Sequence, residues 1–303
     1  MWVVYAGQWG QTPLKLDKEL VMNGYLDIVV YNVERGNAIW VSLPDGKNLM
    51  FDIGRRGDFS PLWDMWGKGV RYLDGLVITH PHTDHFDDIH SFNKYFGMDG
   101  TSYFIRPAHL DYGDIYNGNN NKELVNEYWK LNASFKDYFG SNSYITWDIG
   151  GAHLDMFQPH AFSASNLNNH SLVTFISYRG HTVLLPGDCE SAAWNELMDM
   201  PEFPIIAART NIFVVPHHGL ASAYNEKFMA SISPDVCIIS EKAVTDTDVC
   251  SCYSRKGRGH SATIRGNYVP MRYALTTRND GNIHVSIIPN VDGSSYYAIR
   301  TFE

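Results

Sequence analysis

The sequence predicts a mixed α/β fold, and two observations predict it. Short apolar runs rich in Val, Ile and Leu alternate along the chain with stretches whose apolar residues recur at helical spacing. One of those runs, ending at Thr79, opens directly into a cluster of histidines and aspartates. The 303 residues are 44% hydrophobic, ample for a sizeable core, and hold no Pro/Ser-rich linker, charge run or fixed-period repeat. A single domain over residues 1–303 is the expectation.

Residues 25–31 read as a strand and residues 37–43 as a second, alternating one. Pro44-Asp45-Gly46-Lys47 makes the turn into a third, residues 48–53, which ends in Asp52-Ile53-Gly54. Residues 72–79 form another apolar strand. Residues 86–96 then have helical spacing, with Asp87 and Asp88 in the first turn, where carboxylates suit the helix dipole. Beyond a loop at Asn117-Gly118-Asn119-Asn120-Asn121, residues 123–138 read as an aromatic-rich helix. Strands resume at Ala152–Phe157, 171–178 and His181–Leu185, the last two joined by an Arg179-Gly180 turn. Residues 188–198 and 225–231 are helical, and 212–215 and 236–240 are strands.

Charge and composition bound the function. A net charge of −9 argues against a generic nucleic-acid coat, which carries a basic footprint. It leaves a nuclease open, because bound divalent ions add positive charge where phosphate would sit. Met1-Trp2-Val3-Val4-Tyr5-Ala6-Gly7-Gln8 lacks the basic and apolar regions of a signal peptide, and no run approaches the ~18 apolar residues of a membrane span. Four cysteines are too few for a disulfide scaffold, and Cys250-Ser251-Cys252 has no second pair at zinc-ribbon spacing. A cytoplasmic, reducing setting is the expectation.

The chemistry begins at His80-Pro81-His82-Thr83-Asp84-His85, four metal-capable side chains within six residues. Buried without partners they would be costly, and imidazole plus carboxylate is the ligand set of Zn²⁺ and its first-row neighbours. His80 and His82 can face one side of the loop while Asp84 and His85 turn toward a second centre. This H-x-H-x-D-H pattern resembles the metallo-β-lactamase fold family. That resemblance implies a four-layer αβ/βα sandwich, which periodicity alone would leave as mixed α/β. It also orders the remaining motifs. Gly187-Asp188 after an apolar run supplies a carboxylate able to bridge two ions. Pro216-His217-His218-Gly219 repeats the design, and Asp52 matches the family's first-motif aspartate, which orients ligands.

Asn32 to Ile39, Asn168-Asn169-His170-Ser171-Leu172-Val173, Pro186-Gly187-Asp188-Cys189-Glu190 and Pro216-His217-His218-Gly219 together look like the hydrolase domain of ComEC-like competence proteins. Thr276 to Val285 resembles that family's closing strand. Glu34-Arg35-Gly36-Asn37 departs from the Gly-Gln-Gly-Asp usual there, and the lactamase Gly-His-Thr motif is absent. His170 falls near that missing histidine, as a ligand, a surface residue or a substrate contact; His153 and His160 are weaker candidates for the same role. The resemblance implies two divalent ions, Zn²⁺ or Mn²⁺. His80, His82 and His170 would hold one, and Asp84, His85 and His217 the other, with Asp188 between them. Either His217 or His218 could be the ligand; His217 is favoured, with His218 or an ordered water near the leaving group.

The expected activity is a phosphodiesterase or nuclease acting on DNA or RNA through a hydroxide shared by the two ions. Arg255, Lys256, Arg258 and His260 are the candidate substrate contacts, with Arg265 and Arg272 nearby. A solvated loop is the plain alternative for that segment. The runner-up is a hydrolase of a cyclic nucleotide, a phosphocholine-type ester or a lactone, for which 18 Tyr and 8 Trp could wall a pocket. A non-catalytic interaction module is a third reading, opposed by the intact ligand set. A regulatory protein partner is a further expectation from the resemblance.

Overall fold

Alternation along the strands decides the layering. In the computed structural model, which describes residues 24–303 apart from 138, 141, 161 and 242–248, Leu26, Ile28 and Val30 face one way while Val29 and Tyr31 face the other. A strand buried on both faces must lie between two layers. The strands are β1 (Leu26–Val30), β2 (Ala38–Ser42), β3 (Asn48–Ile53), β4 (Gly75–Val77), β5 (Phe104–Ile105), β6 (Tyr144–Ile149), β7 (Ala152–Phe157) and β8 (Val173–Tyr178). They continue with β9 (His181–Leu185), β10 (Ile212–Val214), β11 (Val236–Ile239), β12 (His260–Ile264), β13 (Asn267–Arg272), β14 (Ala274–Thr276), β15 (Asn282–Pro289) and β16 (Ser295–Phe302). One sheet runs β13-β12-β16-β15-β1-β2-β3-β4-β5 and the other β14-β11-β10-β9-β8-β7-β6.

The helices are α1 (Pro61–Gly67), α2 (Ile89–Tyr95), α3 (Tyr112–Gly118), α4 (Lys122–Ser134), α5 (Ser191–Met198), α6 (Phe203–Ala207), α7 (Glu226–Ser231), α8 (Cys250–Ser254) and α9 (Thr277–Asp280). Three apolar seams make a four-layer αβ/βα sandwich. The central seam joins the sheets through residues such as Phe51, Leu154, Ile176, Val214 and Ile238. A second packs Leu62, Ile89, Phe92 and Tyr128 of α1, α2 and α4 on the outer face of the nine-stranded sheet. The third packs Trp194, Phe203, Phe228 and Tyr253 of α5, α6, α7 and α8 on the other sheet.

Several elements differ from the sequence reading. The run 72–79 is a strand only at Gly75–Val77, because Thr79 and His80 leave the ladder to build the site. The helix read over 86–96 begins at Ile89, since residues 83–85 form their own 3₁₀ turn. The closing segment at 276–285 is two strand ends separated by α9, with Gly281 at φ 83 before β15 starts. β6, β12, β13 and β16 went unread; β13 is largely exposed and carries Pro270, so it lacks the apolar alternation that marks a strand. Residues Met1–Gln8 and Tyr138, on which sequence readings fall, lie outside the described residues. No helix among the described residues is long and apolar enough to cross a membrane.

Trp194 tests the third seam. Its indole stacks on Phe228 at 3.9 Å and 9°, and its Nε1 donates to the Ala223 carbonyl at 3.1 Å. Trp194→Ala should cost about 3–5 kcal/mol, read as a lowered urea midpoint. A loss below ~1 kcal/mol would mean that this seam does not hold α5 and α7 to the sheet.

Candidate metal centre

The site is assembled where strands of both sheets end. On β3 the register pairs Ala38 with Ile53 and Ile39 with Phe51, so Asp52 is an extra, bulged residue at φ 54. A bulge re-aims a side chain, and here it turns a fully buried carboxylate toward the metal loop. Asp52 Oδ1 accepts from the Thr79 amide at 2.7 Å, while Oδ2 accepts from Thr79 Oγ1 and lies against His85 Nδ1, both at 2.8 Å. With Nδ1 tied to a carboxylate, His85 presents Nε2 to the interior.

Asn119 clamps the loop itself, donating to the Pro81 carbonyl at 2.8 Å and accepting from the Thr83 amide at 2.7 Å. His80 Nε2 and His82 Nδ1 approach to 2.9 Å.

The second sheet supplies the other half. Gly187, at φ 57, precedes Asp188, and a Cβ there would stand 2.6 Å from Thr79 Oγ1, so only glycine lets the two sheets meet. The Asp188 amide donates to Ser171 Oγ at 3.1 Å. Asp188 Oδ2 then lies 3.3 Å from His85 Nε2, 3.7 Å from His218 Nε2, 3.9 Å from His217 Nε2 and 4.0 Å from His80 Nε2. His217 and His218 both have left-handed backbones, φ 47 and 55, a strained conformation for residues with a Cβ. The strain seats His218 Nδ1 at 2.9 Å from the Ser240 carbonyl and leaves its Nε2 free.

These residues fit a metal centre. His85 Nε2 and His218 Nε2 are buried without a hydrogen-bond partner. The ligand atoms of His80, His85 and Asp188, and those of Asp84, His85 and His218, lie within 4.8 Å of one another. Donor atoms at 2.0–2.1 Å around tetrahedral Zn²⁺ stand about 3.3 Å apart, a separation that His85 and Asp188 already have and that the wider pairs would reach by drawing in. The electrostatics agree. Burial raises the Asp188 carboxyl, but His85, His218 and His80 outweigh it and hold its pKa well below the usual carboxylate range. Burial, with His85 nearby, pushes the pKa of His80 and His82 below the ordinary imidazole value. His85 runs the other way: Asp188 and Asp52 overcome burial and raise its pKa well above the ordinary value.

The structure brings His80, His82, Asp84, His85, Asp52, Asp188, His217 and His218 together. Within that group both adjacent histidines direct Nε2 toward Asp188, at 3.9 Å for His217 and 3.7 Å for His218. His218 clusters with Asp84 and His85, while His217 turns its Nδ1 to Glu190 Oε1 at 3.3 Å. His170 has its Nδ1 3.0 Å from His109 Nε2 and its Nε2 3.4 Å from the Ser163 carbonyl. His160 contacts Gln158 and the Asn142 carbonyl, and His153 pairs with Asp148 near the β6–β7 turn.

Arg258 and His260 are held away from the site, while Arg255 and Lys256 follow α8, whose first turn packs on Gly219. Asp188, His218 and Ser240 follow the C-terminal ends of the parallel strands β9, β10 and β11. Arg258 instead pairs at 2.5 Å with Asp235, just before β11, and the His260 ring stacks on Tyr297, whose hydroxyl donates to the same Asp235. Asp235 and Ser240 are five strand steps apart, roughly 16 Å.

The sequence reading assigned no role to Asn119, to Thr79, to Ser240 or to Glu190, which accepts from Asn166 at 2.8 Å and Asn168 at 3.2 Å. Glu190 alone had a signal, its place two residues after Asp188.

Comparison with known proteins settles the family. The profile of the metallo-β-lactamase superfamily matches residues 31–236. The chain belongs to that superfamily. It is 25% identical over 176 residues to ComE operon protein 3 of Bacillus subtilis, a match covering 57% of this chain and only 20% of that protein's length. Similar solved structures include the metallo-β-lactamase fold protein YhfI from Bacillus subtilis, at 12% identity and TM-score 0.45, covering 77% of this chain and 91% of that one. CmlA, a diiron β-hydroxylase from Streptomyces venezuelae, gives 13% and 0.44, with 71% and 44% covered. A long form RNase Z from yeast gives 11% and 0.43, with 86% and 41% covered.

Proton competition is measurable at this centre. The raised pKa of His85 means that its ring holds a proton at and above pH 6.5, the ordinary imidazole value, in the metal-free protein. Ligation through Nε2 requires the neutral ring, so binding should release about one proton from it and tighten as pH rises through neutrality. Calorimetry of Mn²⁺ binding in two buffers of different ionisation enthalpy reads this directly. Heats independent of buffer would contradict the assignment.

Proposed function

We propose that this chain is a metal-dependent hydrolase of phosphodiesters, with nucleic acid, DNA or RNA, as its substrate. The observation that carries the reading is the convergence of four imidazole nitrogens on one oxygen of Asp188, at 3.3 to 4.0 Å. His80 and His82 would hold one divalent ion, Zn²⁺ or Mn²⁺, and Asp84, His85 and His218 a second, with Asp188 between them. When bound, such ions lower the pKa of water in the site and neutralise charge on a transferring phosphoryl group. The similarity to ComEC-like hydrolase domains favours nucleic acid over other esters.

The chain's own residues supply the rest. Asp52 and Ser240 fix the rings of His85 and His218 so that their free nitrogens face inward. His217 takes a different part. Burial lowers its pKa, but hydrogen bonding to Glu190 and the charge of Asp188 prevail and raise it. Glu190 itself is brought down to about 2, chiefly by His217 with Asn166 and Asn168 in support, so it stays anionic and favours the protonated form of its partner. His217 Nε2, directed at the centre, is placed to give its proton to a departing alkoxide.

The test is a substrate panel on metal-stripped protein with Mn²⁺ or Zn²⁺ restored: plasmid DNA, single-stranded DNA and RNA, bis-p-nitrophenyl phosphate and a β-lactam. Metal-dependent nucleic-acid cleavage that disappears in Asp188→Ala is the expected result. His217→Ala should slow nucleic-acid cleavage by about 10²–10⁴, because an alkoxide needs a proton, and spare bis-p-nitrophenyl phosphate, whose leaving group does not. Turnover of only a small ester would replace this reading with that of a small-molecule hydrolase.

A further inference from the structure

Arg258, offered by the sequence for phosphate contact, is spent on Asp235 at the far end of β11, and a chain of net charge −9 needs other groups to receive a polyanion. Two loops lie directly over the metal loop. In the first, between β1 and β2, a Cβ on Gly36 would fall on the Asp84 carbonyl. Ser240 Oγ donates to the Gly36 carbonyl at 3.3 Å, tying this loop to the ledge that carries His218. In the second, after β3, a Cβ on Gly54 would stand 2.7 Å from the same Asp84 oxygen. Each contact glycine is followed or preceded at once by arginine: Arg35 before Gly36, and Arg55-Arg56 after Gly54. One residue is ~3.8 Å of chain, so these side chains start at the edge of the site.

Their partners divide them. Arg55 is anchored, its Nη2 donating to the Gly57 carbonyl at 2.7 Å with Nη1 4.0 Å from the buried Asp88. Arg35 and Arg56 are exposed and make no ion pair among the described residues; Arg56 lies over the Phe59 ring at 5.8 Å. Arginine left without a carboxylate partner keeps its planar donors for bidentate contact with phosphate.

We propose that Arg35 and Arg56, with Arg55 as the fixed member between them, form the phosphate-tracking rim that seats a phosphodiester chain across the metal centre. This rests on the phosphodiesterase reading and names the surface by which the same site takes a polymer. Arg35 and Arg56 are positioning residues; neither holds a metal nor reaches the reacting atoms.

The test is binding of a fluorescent single-stranded oligonucleotide to the metal-loaded protein, followed by anisotropy from 50 to 200 mM salt. Arg35→Glu/Arg56→Glu should bind about tenfold more weakly at low salt, and the slope of log affinity against log salt should flatten by roughly 1.4 for two lost contacts. Metal content and the urea midpoint should stay at wild-type values, showing an intact fold. Arg255→Glu/Lys256→Glu should bind as wild type. An unchanged slope in the rim variant, or a loss that follows the 255/256 variant instead, overturns the proposal, as does a wild-type protein that binds no oligonucleotide. Cleavage is scored separately. Rim-dependent binding without nucleic-acid cleavage would sink the phosphodiesterase reading and keep the rim. Cleavage with a rim-independent slope would do the reverse.

Discussion

Four imidazoles around one buried carboxylate oxygen are the constraint on which the rest of the structure depends. Asp188 is only 4% exposed, and burying such a group without compensation is costly. The compensation is local and demanding. It requires two consecutive left-handed histidines, a bulged aspartate on β3, and a glycine at 187 where any Cβ would strike Thr79. Left-handed residues other than glycine cost on the order of 1–3 kcal/mol each and persist only where packing over-determines them. The seams on either side of the seven-stranded sheet provide that packing.

The two sheets meet at this point rather than merely facing each other. The Leu172 amide donates to the Thr79 carbonyl at 2.8 Å, so the start of β8 is fastened to the residue that leaves β4. Ser171, one residue earlier, accepts from Asp188. A shift of either sheet would therefore move ligands on both. Parallel order in β9, β10 and β11 does the rest, since it delivers Asp188, the histidine pair and the Ser240 carbonyl to the same end.

How much of this was legible in the sequence follows from the range of each interaction. His80 to His85 form a short-range pattern with one chemical meaning, and the strand preceding them fixes where it sits. Gly187-Asp188 and the histidine pair were legible as strand-end groups for the same reason. The choice between His217 and His218 was not, because both share the motif and a backbone turned to positive φ decides which ring meets Asp84. His170 illustrates the opposite limit: its partner His109 is 61 residues away, and no local pattern announces that contact. The Arg255–Arg258 segment looked like a phosphate track by composition alone. Arg258 pairs with Asp235, a tertiary contact that composition does not encode. Arg35 figures in the sequence only as part of the Glu34-Arg35-Gly36-Asn37 departure and Arg55 as the residue after a strand end, and the packing of Gly36 and Gly54 against Asp84 gives both a place.

Anomalous diffraction from crystals grown with Mn²⁺ tests the central claim most directly. The account requires two peaks flanking Asp188 and about 3.5–4 Å apart, one bonded to His80 and His82 and the other to Asp84, His85 and His218. A single peak, or an ion bonded to His217 or His170 in place of His218, would contradict it.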